Sequence, residues 1–311
     1  MKPRLIQVDD SLDRRSASRG DTALMSLIST EPDARFTLFD GLQPMLGVTA
    51  GTGLPHLWFG QRQVSQLRDG LEPLVFLGID RVSGAGRFAA RITEGARRRI
   101  DTLGPLEPPE DFRSIASQGR LPHGEVSAAA LARSLFAWQD AHRFCGSCGS
   151  QLTLIDAGWR ARCNSCERDL YPRVDPVVIM LVTDGERCVL AHEPRFPEGM
   201  VSCIAGYIEP GEDVAHAVRR ETFEELALAV EQVEILASQP WPFPHSLMIG
   251  CVARVAPAEP TPDPSEIVFA RWFERAEVRA MLERKHPDGL WEPGAQSIAH
   301  HLIAAFADGR A

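Results

Sequence analysis

The sequence lacks any long apolar run. No stretch of its 311 residues approaches the ~20 apolar residues that a transmembrane helix needs, and the first twenty residues lack the apolar core of a secretory signal peptide. An excess of positive charge is also missing, because the formal net charge is −9. This balance argues against broad, sequence-independent binding of nucleic acid, which depends on a basic surface. We therefore expect a soluble cytoplasmic protein with no membrane partner.

The seven cysteines do not suit a disulfide framework, because disulfides are rare in the cytoplasm. Four of them form two CxxC pairs with fourteen residues between the pairs, the spacing of a zinc ribbon: Cys145, Cys148, Cys163 and Cys166. Four thiolates complete a tetrahedral shell and leave no position for catalytic water, so this zinc would be structural. The alternative is four thiols without a metal. The other three lie in apolar runs and are interpreted as small buried hydrophobes: Cys188, Cys203 and Cys251.

Carboxylates converge on a segment near residue 220. On an α-helix, residues three and four apart share a face, so Glu221, Glu224 and Glu225 bring three negative charges into one small volume. Such charges repel one another unless a cation lies between them. Mg²⁺ and Mn²⁺ take oxygen ligands and bridge carboxylates to substrate phosphates, which makes metal-assisted phosphate chemistry the leading hypothesis. A solvated acidic face is the alternative.

The residues around this helix resemble the Nudix box of the Nudix hydrolases. A glycine- and proline-containing turn precedes the helix, and six residues fall at the spacing of the box: Gly206, Glu212, Arg220, Glu221, Glu224 and Glu225. Two positions depart from the pattern. Thr222 stands where an aliphatic residue is usual, and Ala227 stands where glycine is usual. Both are packing or capping positions, so the resemblance still implies a metal site.

A proline-rich segment, SQPWPFPHSLM, follows the acidic helix. Because proline fixes φ and cannot donate to a strand ladder, we predict a stiff, non-repetitive loop that holds Trp241 and Phe243 in place. These rings would stack on a nicotinamide or adenine ring, and Gln239, His245 and Ser246 would supply hydrogen bonds. The alternative is a loop whose aromatic rings fill the core.

Apolar periodicity organises the rest of the chain. Short β-rich runs between Gly and Pro turns predict a sheet-rich N-terminal domain from about residue 34 to 92, and a helix over 126–144 leads into the ribbon. Buried strands and helices are then predicted for an α/β sandwich: strands near 176–183, 187–193, 200–207, 233–239, 247–255 and 267–273, and helices near 276–284 and 295–307. No internal repeat is visible in the sequence.

The combination of a four-Cys ribbon, a Nudix box and the SQPWPFPxS pattern is similar to the NADH pyrophosphatase (NudC-type) branch of the Nudix hydrolases. The resemblance covers the chain well from Cys145 to the C-terminus, whereas the first 120 residues match only in arrangement. It implies hydrolysis of the pyrophosphate of NADH or NAD⁺ to AMP and nicotinamide mononucleotide, and also removal of NAD caps from RNA 5′ ends. It further implies a homodimer.

The same resemblance assigns roles to individual residues. Catalytic Mg²⁺ or Mn²⁺ would be held by one backbone carbonyl and three carboxylates, with a fourth carboxylate as ligand or base: Ala205, Glu221, Glu225 and Glu266, and then Glu224. Substrate contacts would come from the aromatic segment and from three further places: Gln239, Pro240, Trp241, Pro242, Phe243, Pro244, His245 and Ser246, and then Tyr171, Ala299 and Arg113.

Without the resemblance, residue chemistry favours a role outside the active site for several of these residues. Glu266 would be a solvated loop acid, Tyr171 a packing residue and Arg113 a surface arginine. One departure concerns Gly158, which precedes Trp159 where some relatives carry an acidic substrate contact.

We therefore predict an α+β or α/β protein with three segments. An N-terminal α+β domain would cover residues 1–123, a helix plus zinc ribbon 124–172, and a catalytic α/β/α Nudix sandwich 173–311. Two rival functions remain open. One is hydrolysis of another nucleoside diphosphate derivative, such as ADP-ribose or a dinucleoside polyphosphate, and the other is a catalytically silent module that binds NAD or RNA.

Overall fold

A computed structural model of the chain describes residues 10–311. Its contacts divide the chain into two units. The N-terminal unit comprises residues 10–173 together with Pro242–His245, and the C-terminal unit comprises Val174–Trp241 and Ser246–Ala311. The predicted division into three segments at residues 123 and 172 stays a prediction. No helix among the described residues has the length and apolar character needed to cross a membrane.

The N-terminal unit contains eleven short strands and five α-helices among its described residues. The strands are β1 (Leu12–Asp13), β2 (Arg35–Asp40), β3 (Gln43–Pro44), β4 (Gly47–Val48), β5 (Pro55–His56), β6 (Phe59–Gly60), β7 (Val75–Asp80), β8 (Gly86–Arg91), β9 (Leu152–Ile155), β10 (Arg160–Cys163) and β11 (Asp169–Leu170). The helices are α1 (Thr22–Thr30), α2 (Gln61–Ser65), α3 (Glu94–Arg97), α4 (Phe112–Gln118) and α5 (His123–Ala141).

The main sheet of this unit has the strand order β1-β7-β8-β2-β3. Strand β6 pairs with the first two residues of β2, on the same edge of β2 as β3. Its core is aromatic: the rings of Phe36 and Phe88 stack with centroids 5.5 Å apart, and Phe76 lies 5.3 Å from Phe88. Helix α5 adds the ring of Phe136, which contacts Phe39 of β2 edge-on at 5.2 Å. The predicted sheet-rich domain and the helix before the ribbon are both confirmed, with α5 beginning three residues earlier than expected.

The C-terminal unit contains six strands and three helices. They are β12 (Asp175–Thr183), β13 (Arg187–His192), β14 (Ile204–Tyr207), α6 (Val214–Leu226), β15 (Val230–Trp241), β16 (Ser246–Val255), β17 (Phe269–Glu274), α7 (Arg275–Leu282) and α8 (Ile298–Ala307). The sheet order is β15-β16-β12-β13-β17, with β14 paired to β12.

The centre of this sheet is β12, whose apolar run is buried on both faces, as expected for a strand covered on each side. Alternate residues enter two separate cores. Val178 and Met180 pack with Ala217 and Val218 of α6, and Ile179 packs on the other face. Helices α7 and α8 complete that second core. The predicted α/β/α sandwich is therefore confirmed.

The two main sheets repeat one strand arrangement that the sequence does not reveal. In the C-terminal unit, β12 runs parallel to β16 and antiparallel to β13 and β14, and β15 is antiparallel to β16. In the N-terminal unit, β2 runs parallel to β8 and antiparallel to β3 and β6, and β7 is antiparallel to β8. By this correspondence, the short helix α2 occupies the place in the chain that α6 occupies in the C-terminal unit.

Candidate active site

Helix α6 is capped at both ends. The Asp213 side chain accepts a hydrogen bond from the N–H of His216 at 2.8 Å, a normal N-cap that satisfies one of the free amides of the first turn. At the other end, Ala227 adopts a left-handed conformation with φ of 56° and donates its N–H to the Phe223 carbonyl at 2.8 Å. Glycine is the residue that favours this conformation, so the departure noted at this position leaves the cap in place with a strained residue.

Thr222, the second departure from the box, is fully buried on the core face of α6. Its Oγ1 makes no hydrogen bond with any described residue. A buried hydroxyl without a partner is unfavourable compared with an aliphatic group of the same size. The departure therefore affects stability and leaves the carboxylate face unchanged.

The carboxylates of α6 differ in exposure. Glu225 is buried, the Glu221 side chain is 13% exposed, and the Glu224 side chain is 56% exposed. Glu221 lies against the backbone of β14: a Cβ built on Gly206 would lie 1.9 Å from the carboxyl carbon of Glu221. Only glycine allows this approach, and this contact explains the first residue of the box.

Arg220 binds three of the box glutamates. Its Nε and Nη2 donate to the two oxygens of Glu212 at 2.7 and 2.9 Å, and its Nη1 donates to Glu221 at 2.8 Å and to Glu224 at 3.0 Å. A further bond from Nη2 reaches the Tyr207 carbonyl at 2.9 Å. The bidentate guanidinium lowers the pKa of Glu212 to about 2. Arg220 thus ties the loop before α6 to the helix.

Compensation at Glu225 is weaker, because the charge of Arg195 lowers its pKa less than burial raises it. Burial raises its pKa to about 8, and the nearby charges of Glu221, Glu193 and Glu266 add to this effect. The pKa of Glu221 is also raised, chiefly by burial. Carboxylates forced together in a desolvated place favour either a proton or a cation between them. The donor set fits a hard divalent cation such as Mg²⁺ or Mn²⁺.

The loop that carries Glu266 is fastened to the end of α6. Amides of the loop donate to the last carbonyls of the helix, Thr261 to Leu226 at 2.8 Å and Asp263 to Glu225 at 2.9 Å. These bonds satisfy carbonyls that a helix end leaves free. They bring Glu266 near Glu225, close enough to raise its pKa.

Two residues at this site escaped the sequence interpretation. Glu193 follows β13 directly, has a side chain that is only 15% exposed and pairs with Arg195 at 2.6 Å, and its charge acts on Glu225. Tyr207 stands immediately after Gly206 and exposes 58% of its surface. The available signal was position, since one follows an apolar strand and the other lies inside the matched box.

The aromatic segment was predicted to be a loop, and that prediction is wrong for most of it. Residues 238–241 lie in β15 and Ser246 begins β16, so only Pro242–His245 form the connection of a hairpin. Pro240 is accommodated because β15 is the edge strand of its sheet. The backbone of this segment is therefore held by strand pairing as well as by proline.

Gln239 is buried and uses its amide inside the C-terminal unit. Its Oε1 accepts from the N–H of Ile298 at 2.7 Å, and its Nε2 donates to the Gln296 carbonyl at 2.8 Å. These bonds hold the start of α8, where the predicted contact Ala299 is also buried. The structure thus places Gln239 beneath α8, where it positions the helix.

The connection Pro242–His245 packs with helices α4 and α5 of the N-terminal unit. The Phe243 ring lies 6.0 Å from the Phe112 ring, and the guanidinium carbons of Arg113 and Arg133 lie 4.5 and 4.9 Å from its centroid. Arg133 donates to the Pro242 carbonyl. The structure therefore brings Arg113 and Phe243, two predicted substrate contacts, together.

The predicted contact Tyr171 follows the ribbon, and Gly158, the departure noted in the sequence, lies within it. Tyr171 is 64% exposed just after β11, as a ligand contact requires. Gly158 has φ of 89°, and a Cβ there would lie 2.7 Å from Val75. An acidic side chain does not fit at this position in this chain, because Val75 occupies the space that its Cβ would need.

The four ribbon cysteines form one cluster. Their sulfur atoms all lie within 4.8 Å of one another, with Cys145 and Cys166 3.7 Å apart and Cys148 and Cys163 3.5 Å apart. Hydrogen bonds from Ser150 lower the pKa of Cys148 to about 6, which favours the thiolate that zinc requires. The predicted four-Cys site is confirmed, and its donor set fits structural zinc.

Comparisons with known proteins agree with these observations. Three family profiles match the chain: a NUDIX domain over residues 172–293, an NADH pyrophosphatase zinc ribbon domain over 140–171, and an NADH pyrophosphatase-like rudimentary NUDIX domain over 33–138. The last match falls on the sheet that repeats the strand arrangement of the C-terminal unit.

Similar curated proteins include hydrolases from animals and bacteria. The human NAD-capped RNA hydrolase NUDT12 is 34% identical over 332 residues, covering 94% of this chain and 71% of that protein. The NAD-capped RNA hydrolase NudC of Stutzerimonas stutzeri is 45% identical over 170 residues, covering 54% and 57%. The human mitochondrial NAD(P)H pyrophosphatase NUDT13 is 40% identical over 195 residues, covering 59% and 55%.

Proposed function

The chain belongs to the Nudix hydrolases that carry an NADH pyrophosphatase zinc ribbon, and from this premise we propose that it hydrolyses the pyrophosphate of NADH or NAD⁺ to AMP and nicotinamide mononucleotide. The observation that carries the proposal is the pair of largely buried carboxylates Glu221 and Glu225, of which Glu221 packs against Gly206. Such a pair is unfavourable in a protein that only binds a dinucleotide, whereas it is useful where a metal and phosphates meet.

Mg²⁺ or Mn²⁺ is the proposed catalytic ion, held by the Ala205 carbonyl and by Glu221, Glu225 and Glu266. When bound, it would polarise the pyrophosphate and lower the pKa of the attacking water. The water oxygen forms a bond to one phosphorus as the bridging P–O bond breaks, and its proton passes to a base. Glu224 is the proposed base, because its carboxylate is the most exposed of the three on α6.

Other residues of the chain orient the substrate. Arg220 keeps Glu221 and Glu212 in place through the bonds described above, which restricts the carboxylates to one geometry. Tyr207, whose ring is exposed next to Gly206, offers a ring face for the nicotinamide or adenine base. Gln239 acts by holding α8 and so positions the backbone near Ala299.

The same chemistry supports removal of an NAD cap from RNA, because the bond broken is the same pyrophosphate. This second activity is supported by the names of the relatives, two of which are NAD-capped RNA hydrolases. A homodimer and a cytoplasmic location are likewise proposals. The location is supported by free thiols in a zinc-ribbon arrangement, which need a reducing compartment.

The decisive experiment is to incubate the purified chain with NADH and Mg²⁺ or Mn²⁺ and to separate the products by chromatography. We expect AMP and reduced nicotinamide mononucleotide, and a loss of at least about a thousandfold in turnover for Glu225→Gln. Glu234→Gln, which makes the same charge change on an exposed residue of β15, is the matched control and should keep full activity.

Two results would contradict the proposal. Turnover of ADP-ribose but not of NADH would preserve the hydrolytic chemistry and discard the assigned substrate. No turnover of either compound, with NAD binding retained, would favour a silent binding module.

A further inference from the structure

A surface depression of about 680 Å³ lies in the N-terminal unit, on residues to which the proposed hydrolysis gives no role. Its lining includes two arginines, an imidazole, an indole, an amide and a glycine: Arg35, Arg62, His56, Trp58, Gln61 and Gly60. Among the described residues that line it, none is acidic. The depression is therefore basic and aromatic, in a protein whose overall charge is negative.

Its position in the fold is informative. Strand β6 pairs with β2 through Arg35 and Gly60, and α2 begins at the next residue. In the C-terminal unit, β14 pairs with β12 through Val177 and Tyr207, and the loop to α6 begins at the next residue. The depression thus lies at one end of the N-terminal sheet. In the C-terminal sheet, the corresponding end is the one from which the chain leads into α6.

The charges at this shared place have opposite sign in the two units. The C-terminal unit presents carboxylates, which need a metal before they bind phosphate. The N-terminal unit presents guanidinium groups, which bind phosphate directly with paired N–H donors. Carbonyls of Pro32 and Ala34 fix Nη1 of Arg35 at 3.2 and 3.0 Å. Arg62 is exposed, and its guanidinium makes no hydrogen bond or ion pair with any described residue.

Trp58 supplies a stacking surface beside these cations. It is half-buried, and the Arg87 guanidinium lies 5.5 Å from its ring centroid. Arg87 is itself held by an ion pair with Asp80 at 3.1 Å. A ring fixed in this way can stack on any of the four bases. Proteins commonly hold unpaired nucleotides by such stacking.

We propose that this depression binds a phosphorylated nucleoside without a metal, with the base against Trp58 and the phosphate on Arg35 and Arg62. The ligand is either a free nucleotide or one nucleotide of a single-stranded RNA. Binding here goes beyond the proposed hydrolysis and does not require it.

The test uses the full chain and a fluorescently labelled oligoadenylate with a 5′-hydroxyl, which has no pyrophosphate to hydrolyse. Fluorescence anisotropy should show binding that Arg62→Glu weakens about tenfold or more, as expected for losing a phosphate contact and placing a like charge there. Arg68→Glu is the matched control, because it makes the same change on an exposed arginine of the same unit outside the depression. It should shift affinity less than twofold.

Trp58→Ala should weaken binding by about tenfold, and Trp58→Phe should restore most of it, since stacking needs a ring. Competition with GMP distinguishes the two sources of ligand. Displacement of the RNA by GMP assigns the depression to free nucleotides as well, whereas Arg62-dependent RNA binding that millimolar GMP does not disturb assigns it to RNA.

Equal weakening by Arg62→Glu and Arg68→Glu would overturn the proposal, because it would show unspecific attraction. Absence of both RNA and GMP binding by the wild-type chain would do the same. NADH hydrolysis is measured in the same samples and should not change in Arg62→Glu. Failure of that hydrolysis in the wild-type chain would count against the proposed function alone.

Discussion

The two units place side chains of opposite charge at the same end of one strand arrangement. In the C-terminal unit the strand β14 leads into the thirteen-residue helix α6, which carries two arginines and three clustered glutamates. In the N-terminal unit the equivalent strand β6 leads into the five-residue helix α2, with the sequence QRQVS and no carboxylate. The comparison shows that this scaffold does not determine the reaction, which depends on the residues placed at one end of the sheet.

The net charge of the two units also differs, and the C-terminal unit is the more negative of the two. Residues 174–311 contain 22 Asp and Glu against 11 Lys and Arg, whereas residues 10–173 contain 19 Asp and Glu against 20 Arg. An anionic substrate therefore reaches the C-terminal carboxylates only with the help of a cation, while the N-terminal unit presents no net repulsion. The net charge of the whole chain conceals this division.

The largest effect is expected at the zinc ribbon, which belongs to the N-terminal unit. Cys163→Ser removes a buried thiolate and should lower both zinc content and thermal stability, because structural zinc contributes about 10 kcal/mol or more to folding in zinc-dependent domains. Metal analysis and a thermal melt check this. Cys203→Ser, a buried thiol in the C-terminal unit, should lower stability with unchanged zinc. Full zinc stoichiometry in Cys163→Ser would disprove the structural site.

The second prediction concerns the pH dependence of metal binding in the C-terminal unit. In the proposed site, Mn²⁺ would need the ionised form of Glu225, whose pKa is about 8 without metal. The apparent affinity for Mn²⁺ should therefore rise about tenfold per pH unit from pH 6 and level off above pH 8. The proton on Glu225 also stabilises the metal-free folded protein. Because the folded pKa lies above the unfolded value of 4.5, this stability is present below pH 4.5 and is lost as pH rises through 8.

Titrations followed by Mn²⁺ paramagnetic resonance at several pH values measure the affinity. Glu225→Gln should remove the corresponding loss of stability in melts of the metal-free protein. An Mn²⁺ affinity that does not change between pH 6 and 8 would contradict the assignment of Glu225 as a ligand.

Arg220→Lys should have the next largest effect, because lysine cannot reproduce the paired bonds to Glu212 together with those to Glu221 and Glu224. We expect a loss of about 10- to 30-fold in kcat/KM for NADH, equivalent to ~1.4–2 kcal/mol. The exposed neighbour Arg219, changed to lysine, is the control and should be neutral. Activity equal to wild type in Arg220→Lys would show that the network does not position the carboxylates.

The smallest effect is expected at the end of α6. Ala227→Gly relieves a left-handed alanine and should stabilise the C-terminal unit by about 0.5–1 kcal/mol, seen as a rise in Tm. Ala215→Gly, in the first turn of the same helix, should have the opposite sign. A lower Tm for Ala227→Gly would mean that the alanine methyl makes contacts worth more than the strain.

Local spacing was enough to predict much of this protein. The CxxC pairs and the positions of Glu221, Glu224 and Glu225 reflect ligand distances within a few residues, and the apolar runs that became β12 and β16 were long enough to be recognised. Prediction failed for the aromatic segment, since proline content suggested a loop while pairing with β16 imposed a strand. Glu193 follows an apolar strand, but that position alone does not predict its effect on the pKa of Glu225, which depends on the fold.

The sequence by itself determined the family, the zinc ligands and the carboxylate face of α6, because each depends on chemistry encoded within a short stretch. Only the tertiary structure decided that Gly206 must lie against Glu221, that Gln239 supports α8 and that Arg35, Trp58 and Arg62 share one depression. It also revealed the second copy of the strand arrangement. Strand pairing joins residues far apart in the chain, and a fold tolerates almost any residues that keep its buried faces apolar, so the repeat persists in the backbone without persisting in the sequence.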